Sequence, residues 1–386
     1  MSIFDVAGQT KARTPLMFDQ ESQTNQLIDD EESHLNDRKL REYQFQFIKK
    51  LIQSNSNLKF FCVLIAVVLS VTLIQIYIGI MKLQDGSSLL LLSNYNVQSL
   101  TKDVNVLPIH SHNDEWRKNP FFDALRSGAG SIEADVWYFD KDPDMLFVGH
   151  NKVFLEKVKN IDNLYLNHLY NLLEQTNEET RFLSKNEIES SKNGVFYNSP
   201  ETSLNFYFDI KNENGIPAIK VLEKKLLKFL ENGYLTTYDS TTQIFKQGPL
   251  TIIITGNAPY EYLSQKELRY MFIDAPLAGL DTEDEAEVIK FGAKYPAKKI
   301  SITASGSLLE LTSSSPRETF FGGLSNGQSS QIQAAISVCH RFGLQIRIWE
   351  TPHWPVFIRN KVWRQLLDLK TDILNVDDLK GVTGLF

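Results

Sequence analysis

Charged side chains recur in pairs on three short apolar segments of this 386-residue sequence. The members of each pair are two positions apart, and the pairs are His110 and His112, Glu133 and Asp135, and Asp209 and Lys211. Residues two apart on a strand point to the same side, so each pair faces one way and its apolar neighbours face the other. Burying such groups is costly unless they pair with one another or bind a metal. The pattern predicts one shared polar site built from three strands.

The residue types at this site favour phosphate chemistry. Carboxylate oxygens suit Mg²⁺ or Ca²⁺, so Glu133, Asp135 and Asp209 are the predicted ligands of a divalent metal. The metal would polarise a phosphoryl oxygen, with Lys211 as a compact positive charge beside it. His150, which closes a hairpin arm after the second segment, and a histidine of the first segment are the predicted general acid and base. Cysteine ligands are absent, which disfavours zinc.

The elements that position these residues alternate between strand and helix from about residue 105 onward. Such alternation indicates a mostly parallel sheet covered by helices. Eight strands are predicted, at 106–112, 131–138, 204–212, 250–258, 271–276, 299–305, 344–349 and 372–376, with 145–150 as a hairpin arm. Clear helices are predicted at about 217–232, 328–342 and 356–369. The strand count predicts a (β/α)₈ TIM barrel, with an open doubly wound sheet as the alternative.

The composition limits the possible functions. Apolar residues make up 42% of the chain and charged residues 23%, which is sufficient for a packed core. The net charge of -7 argues against a general nucleic-acid binder. The two cysteines, Cys62 and Cys339, lie in an apolar run and in a helical pattern, so no disulfide framework is predicted.

An uncharged apolar run occupies residues 60–81. It is long enough to span the ~30 Å hydrocarbon core of a bilayer as a helix, and we predict a single transmembrane helix there. Lys49, Lys50 and Lys59 precede the run and only Lys82 follows closely, which predicts a cytosolic N-terminus and a barrel across the membrane. The predicted organisation is a largely disordered tail at 1–59, the span at 60–81, a linker at 82–104 and the barrel at 105–386.

Three motifs resemble the opening of the phospholipase C-like phosphodiesterase superfamily, which includes glycerophosphodiester phosphodiesterases and venom sphingomyelinase D enzymes. They are HSHND at 110–114, SIEADVW at 131–137 and VGHN at 148–151. The later segments FDIK at 208–211, QIRIW at 345–349 and DILNVD at 372–377 are similar too. In this order the motifs resemble most closely the fungal altered inheritance of mitochondria protein 6 family. The resemblance implies a TIM barrel, a divalent metal and phosphodiester hydrolysis.

The first histidine departs from the glycerophosphodiesterase pattern, which is His-Arg-Gly. Neither His110 nor His112 is followed by Arg-Gly, so both remain candidates. His112 is slightly favoured because Asn113 follows it and because it lies 21 residues before Glu133, close to the spacing of the venom-type enzymes.

The missing arginine leaves the phosphate ligand open. Arg117 and Arg347 are the candidates for that role, and Asn113 is a further candidate substrate contact. Trp349 either lines the mouth of the pocket or is a core aromatic. Near the C-terminus, Asp377 and Asp378 either face inward or begin the last helix.

These features predict a membrane-anchored, metal-dependent phosphoric diester hydrolase that acts on a small-molecule phosphodiester or a phospholipid, without nucleic acid as a partner. The main alternative is a non-catalytic, membrane-tethered binding or organising protein on a retained barrel. A barrel glycoside hydrolase with Glu133 as its acid is a third possibility, but it would not require paired histidines.

Overall fold

The computed structural model describes residues 39, 42–46, 49–50, 56–84, 95–277, 300–313 and 322–386. The chain divides into two units, Met1–Ser87 and Ser88–Phe386. The first contains the helix Ser56–Gln84, and the second contains the sheet and its helices. Most of the predicted tail at 1–59 lies outside the described residues.

The predicted transmembrane segment at 60–81 lies within the helix Ser56–Gln84. Among the residues that the structure describes, no helix combines the length and the apolar character that crossing a bilayer requires. The helical conformation is therefore confirmed and the membrane span is not.

Eight parallel strands form a closed barrel in the second unit. We number these barrel strands in chain order as β1 (Leu107–Ser111), β2 (Ala129–Tyr138), β3 (Leu204–Ile210), β4 (Leu250–Gly256), β5 (Met271–Pro276), β6 (Thr303–Ser307), β7 (Gln345–Trp349) and β8 (Ile373–Val376). Each strand pairs with the next, and β1 pairs with both β2 and β8. The closure excludes the open doubly wound sheet and confirms the predicted TIM barrel.

Among the helices around the barrel, the first precedes β1, the last follows β8 and the others lie between consecutive strands. Those of the second unit are Val97–Thr101, Phe122–Arg126, Asn167–Thr176, Lys185–Ser190, Ile216–Glu231, Tyr260–Ser264, Leu308–Leu311, Asn326–Arg341, Val356–Asp368 and Leu379–Thr383. Local sequence sets their ends: Pro217 lies in the first turn of Ile216–Glu231, and Ser325 with Gln328 forms a capping box at the start of Asn326–Arg341. All three helices predicted from the apolar periodicity are present within two residues of their predicted ends.

Two smaller strand groups accompany the barrel. The arm Leu146–Val148 runs antiparallel to β2, as predicted, and extends the β2 edge into a hairpin. A separate antiparallel sheet of Thr237–Asp239, Ile244–Lys246 and Leu268–Arg269 was not predicted. Its strands have at most three residues each, which is too short to show an alternating pattern.

Strand alternation sorts the side chains as the sequence predicts. On β2, Ile132, Ala134 and Val136 are fully buried within the apolar core that the covering helices share. Glu133 and Asp135 alternate with them and point to the inside of the barrel. Because the register aligns Asp135 with Asp209 on β3, the polar positions of neighbouring strands meet at one level.

Candidate active site

A cleft of about 530 Å³ opens among residues at or near the C-terminal ends of the barrel strands. Its polar and aromatic lining comes from seven strands or the segments after them and consists of His112, Glu133, Asp209, Thr255, Tyr260, Asp274, Ser305, Arg347 and Trp349. The C-terminal end is where TIM barrels place their active sites. Trp349 therefore lies at the cleft rather than in the core.

His110 lies beneath this cleft and is fully buried. Its Nδ1 is 2.7 Å from Ser131 Oγ, and its Nε2 is 2.6 Å from both Glu133 Oε2 and Arg347 Nη1. Burial and the charge of Arg347 lower the pKa of the ring to about 3, against the opposing effect of Glu133. His110 is thus neutral at physiological pH, with both ring nitrogens occupied by protein groups.

His112 lies just after β1 and lines the cleft. Its Nδ1 is 2.8 Å from Asp377 Oδ1, and no described residue hydrogen-bonds its Nε2. Burial raises the pKa of Asp377, but the hydrogen bond and charge of His112, followed by His353 and Arg117, outweigh it and hold that pKa below its ordinary value. An ionised Asp377 therefore orients the His112 ring and leaves Nε2 available to a substrate.

His150 has the same arrangement as His112. Its Nδ1 is 2.8 Å from Asp135 Oδ2, its side chain is 49% exposed, and no described residue hydrogen-bonds its Nε2. The Trp116 ring lies edge-to-face with it, with 5.1 Å between ring centroids. His112 and His150 therefore both hold Nδ1 on an aspartate and have an Nε2 that no described residue hydrogen-bonds.

The three predicted metal ligands meet beside these histidines. One ligand atom from each of Glu133, Asp135 and Asp209 lies within 4.8 Å of the others. Lys211 Nζ is 2.6 Å from Asp209 Oδ2 and 2.9 Å from Asp135 Oδ2. Burial lowers the pKa of Lys211, but Asp209 and Asp135 outweigh it and raise that pKa. The lysine therefore stays protonated and offsets part of the carboxylate charge.

The donor set fits a hard divalent cation. Asp135 is fully buried, and its Oδ1 has no hydrogen-bond partner among the described residues, although buried oxygens normally have one. Burial, together with the charges of Asp209 and Glu133, raises the pKa of Asp135 despite the attraction of Lys211. A cation would satisfy the orphaned oxygen and relieve the repulsion between the carboxylates.

Gly256 at the end of β4 makes room for one of these ligands. Its φ is +67°, and a Cβ at this position would overlap the carboxylate of Asp209. A larger residue here would be strained in its backbone and would displace the ligand.

Arg347 is a buried residue of the cleft lining that fixes its neighbours by hydrogen bonds. It is buried, and its guanidinium donates to Ser305 Oγ at 2.9 Å, to Glu133 Oε2 at 3.1 Å and to Asn375 Oδ1 at 3.2 Å. Burial raises the pKa of Glu133, but Arg347 and then His110 outweigh it and hold that pKa well below its ordinary range. Glu133 is therefore an anion whose Oε2 Arg347 and His110 fix in place.

Arg117, the other candidate phosphate ligand, points to the backbone. Its guanidinium donates to the carbonyl oxygens of Asp377, His112 (3.2 Å) and Val376 (3.3 Å), and to Ser111 Oγ at 3.3 Å. The side chain thereby fastens the end of β1 to the end of β8. In this arrangement it positions both partners of the His112–Asp377 pair.

An Arg117→Met variant is expected to lose roughly 2–3 kcal/mol in free energy of unfolding, because it removes the guanidinium donor from the carbonyl oxygens of His112 and Asp377. Urea denaturation would measure the loss, with Arg126→Met as a control at an exposed position of the next helix. Unchanged stability combined with a raised KM would instead assign Arg117 to substrate binding.

Glu115 belongs to the site but was not predicted. Glu115, Asp135 and His150 form a second group of possible ligands, so the two groups share Asp135. Neither oxygen of Glu115 has a hydrogen-bond partner among the described residues. Burial and then the charge of Asp135 raise the pKa of Glu115 to about 9. Glu115 lies in the short 3₁₀ helix Asp114–Trp116 and not on a strand, so strand spacing could not reveal it.

The turn after β1 depends on two neighbouring polar residues. Asn113 adopts a left-handed conformation with φ 45°, and its Nδ2 is 3.4 Å from His112 Nδ1. Asp114 is fully buried and accepts hydrogen bonds of 2.6 Å from Ser111 Oγ and from the Phe121 amide. Burial, which its hydrogen bonds only partly oppose, raises the pKa of Asp114 from 3.8 to about 6.

The raised pKa of Asp114 predicts a specific pH dependence. Between pH 4 and 6 the folded chain holds a proton on Asp114 that the unfolded chain has released, so this residue makes stability rise as the pH falls. We expect the free energy of unfolding of the wild-type protein, minus that of Asp114→Asn, to be larger at pH 4.5 than at pH 7. Urea denaturation of both proteins at the two pH values measures this difference. A difference that does not change with pH would contradict the assignment.

The last two aspartates have different roles. Asp377 faces His112 and His353, with its Oδ2 3.0 Å from His353 Nδ1. Asp378 caps the helix Leu379–Thr383 by accepting from the Gly381 amide. His353 lies in the connection between β7 and the next helix, so strand spacing could not reveal its pairing with Asp377.

The closed eight-stranded parallel barrel, with acidic and histidine side chains at one end, places the chain among the (β/α)₈ proteins. Residues 98–274 match the AIM6-like phosphodiesterase domain. Altered inheritance of mitochondria protein 6 of Eremothecium gossypii is 36% identical over 304 residues, or 74% of this chain and 72% of that protein. The protein of the same name from Saccharomyces cerevisiae is 36% identical over 305 residues, or 75% and 73%.

This chain therefore belongs to the altered inheritance of mitochondria protein 6 family. Among solved structures, a glycerophosphoryl diester phosphodiesterase from Parabacteroides distasonis aligns with 75% of this chain and 91% of that one, at 12% identity and a TM-score of 0.38.

Proposed function

We propose that the chain is a metal-dependent phosphoric diester hydrolase. One observation carries the proposal: His112 and His150 both hold Nδ1 on an aspartate and present an Nε2 that no described residue hydrogen-bonds, next to a cluster of three carboxylates. The match to a phosphodiesterase domain family supports the same reaction class.

The histidines would move the protons of this reaction. One takes a proton from the attacking water or substrate hydroxyl as a new P–O bond forms. The other protonates the leaving oxygen as the old P–O bond breaks. Asp377 and Asp135 stabilise whichever ring carries the extra proton. His110, neutral and occupied at both nitrogens, fixes Glu133 instead.

The divalent cation, Mg²⁺ or Ca²⁺, would be held by Glu133, Asp135 and Asp209. When bound, it would polarise a phosphoryl oxygen and neutralise charge that develops on the phosphate. Lys211 adds a protonated ammonium beside the same ligands. Arg347 keeps the Glu133 carboxylate aimed at the cluster.

The deciding experiment is turnover of the full-length chain on a panel of glycerophosphodiesters, phospholipids and lysophospholipids, with Mg²⁺, with Ca²⁺ and with chelator. We expect metal-dependent release of a phosphomonoester or a cyclic phosphate. Metal binding without turnover on any member of the panel would favour the alternative, a non-catalytic binding or organising protein.

The location of the chain is a separate proposal, which rests on the sequence alone. The cations before residue 60 favour a single-pass membrane protein with a cytosolic N-terminus and the barrel on the lumenal or exoplasmic side. Carbonate extraction of membranes tests it: release of the chain into the soluble fraction would contradict a membrane anchor.

A further inference from the structure

Apolar side chains are exposed on loops and helical turns beside both candidate acid/base histidines. We call them the rim: Trp116, Val153, Phe154, Val158, Trp354, Val356 and Phe357. Each is more than half exposed, and Val153 reaches 81%. Single exposed apolar residues are ordinary, but a group of them around one opening indicates an interaction site.

The first part of the rim adjoins His150. The segment 149–159 follows the hairpin arm as a loop. The end of this loop returns to the arm, where Val148 N donates to Lys159 O at 2.9 Å. This loop contains His150 near its start and the rim residues Val153, Phe154 and Val158. The edge-to-face contact of Trp116 with His150 brings the turn after β1 to the same place.

The second part of the rim adjoins His112. His353 and His112 bind the two oxygens of the same carboxylate, Asp377. Trp354 follows His353 directly, and Val356 and Phe357 form the exposed first turn of the helix Val356–Asp368. The next residue, Ile358, is buried, so the helix is anchored to the barrel while its start faces outward.

The position of the rim around the cleft favours a phospholipid surface over a docked protein as the partner that contacts it. A protein docked across these loops would cover the cleft that a phosphodiester must enter. A phospholipid surface instead offers apolar chains to the rim and phosphodiesters to the cleft. Tryptophan and phenylalanine are also the residues that proteins insert at the lipid–water interface.

Local charge favours the same occupant. The exposed segment 151–159 contains three lysines and one glutamate, in a chain whose net charge is -7. Lys157 pairs with Asp142 and Lys159 with Glu156, whereas Lys152 forms no ion pair with a described residue. Cations beside apolar residues are attracted to anionic lipid surfaces. Lys152 lies in this segment, between His150 and Phe154.

We propose that the rim inserts into a phospholipid surface and that the substrate is a membrane phospholipid, cleaved at its head-group phosphodiester. The substrate assignment rests on the proposed hydrolase function, whereas insertion of the rim does not.

Insertion can be measured without any turnover. All five tryptophans lie in the barrel unit, so quenching of their emission reports on that unit and not on the N-terminal helix. With full-length protein and anionic vesicles containing dibrominated phosphatidylcholine, we expect lower emission than with unbrominated vesicles. A variant carrying Trp116→Phe and Trp354→Phe is expected to lose most of this difference.

Turnover tests the substrate assignment. In a Phe154→Ser, Phe357→Ser variant, we expect the ratio of turnover on vesicle phospholipid to turnover on a soluble short-chain phosphodiester to fall at least about tenfold. The control is Phe182→Ser, because Phe182 is 80% exposed but lies between the helices Asn167–Thr176 and Lys185–Ser190, outside the rim.

The outcomes separate the two proposals. Quenching by brominated lipid without turnover on any diester would support insertion and contradict the hydrolase. Absence of quenching, with an unchanged turnover ratio in the rim variant, would overturn insertion. A dimer in light scattering that the rim substitutions convert to a monomer would also overturn it, in favour of a second copy as the occupant.

Discussion

A His112→Ala variant is expected to lose about 10²- to 10⁴-fold in kcat on its phosphodiester substrate, the usual range for a lost general acid or base. The structure favours this residue because its Nδ1 is fixed by Asp377 while its Nε2 faces the cleft. The change is expected to leave the fold intact, because the side chain is about one-third exposed. Steady-state kinetics and circular dichroism of both proteins would measure the two effects.

His353→Ala is the matched control for this experiment. His353 binds the other oxygen of Asp377, but its side chain is 75% exposed, so its loss is expected to change kcat little. His110→Asn is expected to destabilise the barrel instead, because His110 is buried between Ser131 and Glu133. Full turnover by His112→Ala would remove His112 from the mechanism.

An Asp135→Asn variant is expected to lose both turnover and the response to divalent metal. A ligand present at 100 times its Kd stabilises a fold by about 2.7 kcal/mol. We expect Mg²⁺ or Ca²⁺ to raise the Tm of the wild-type protein accordingly and to leave the Tm of Asp135→Asn unchanged. The reason is that Asp135 belongs to both groups of possible ligands and has one buried oxygen without a hydrogen-bond partner among the described residues.

The control for this variant is Asp144→Asn, whose side chain is 82% exposed in the hairpin that follows β2. It should respond to metal as the wild-type protein does. If the wild-type Tm does not change with either cation, or if Asp135→Asn is stabilised as much as the wild type, the proposed metal site fails.

The barrel could be predicted from the sequence because its strands obey a simple period. Buried Ile132, Ala134 and Val136 alternate with Glu133 and Asp135, so the inward set follows from spacing alone. The sixth strand was predicted four residues too early at its start, because the sequence interpretation followed the apolar residues at 300 and 302. The observed strand, Thr303–Ser307, directs polar side chains such as Ser305 to the cleft.

Other parts of the site were beyond the reach of the sequence. The choice between His110 and His112 depends on depth in the barrel, which two positions of one strand do not reveal. Asp377 lies 265 positions from His112, and only the closure of the barrel brings the two together. The backbone contacts of Arg117 depend on the same closure.

The seam where β1 meets β8 also has a consequence for folding. The pairing of Ile109 with Leu374 and of His110 with Asn375 joins the two ends of the barrel, so contacts at the seam have a very high contact order. The His112–Asp377 pair therefore forms late, after the last strand has been synthesised and docked. A nascent barrel without β8 would contain the carboxylate cluster and His150 but would lack the partner that orients His112. The active site therefore becomes complete only when β8 has docked against β1 and the barrel has closed.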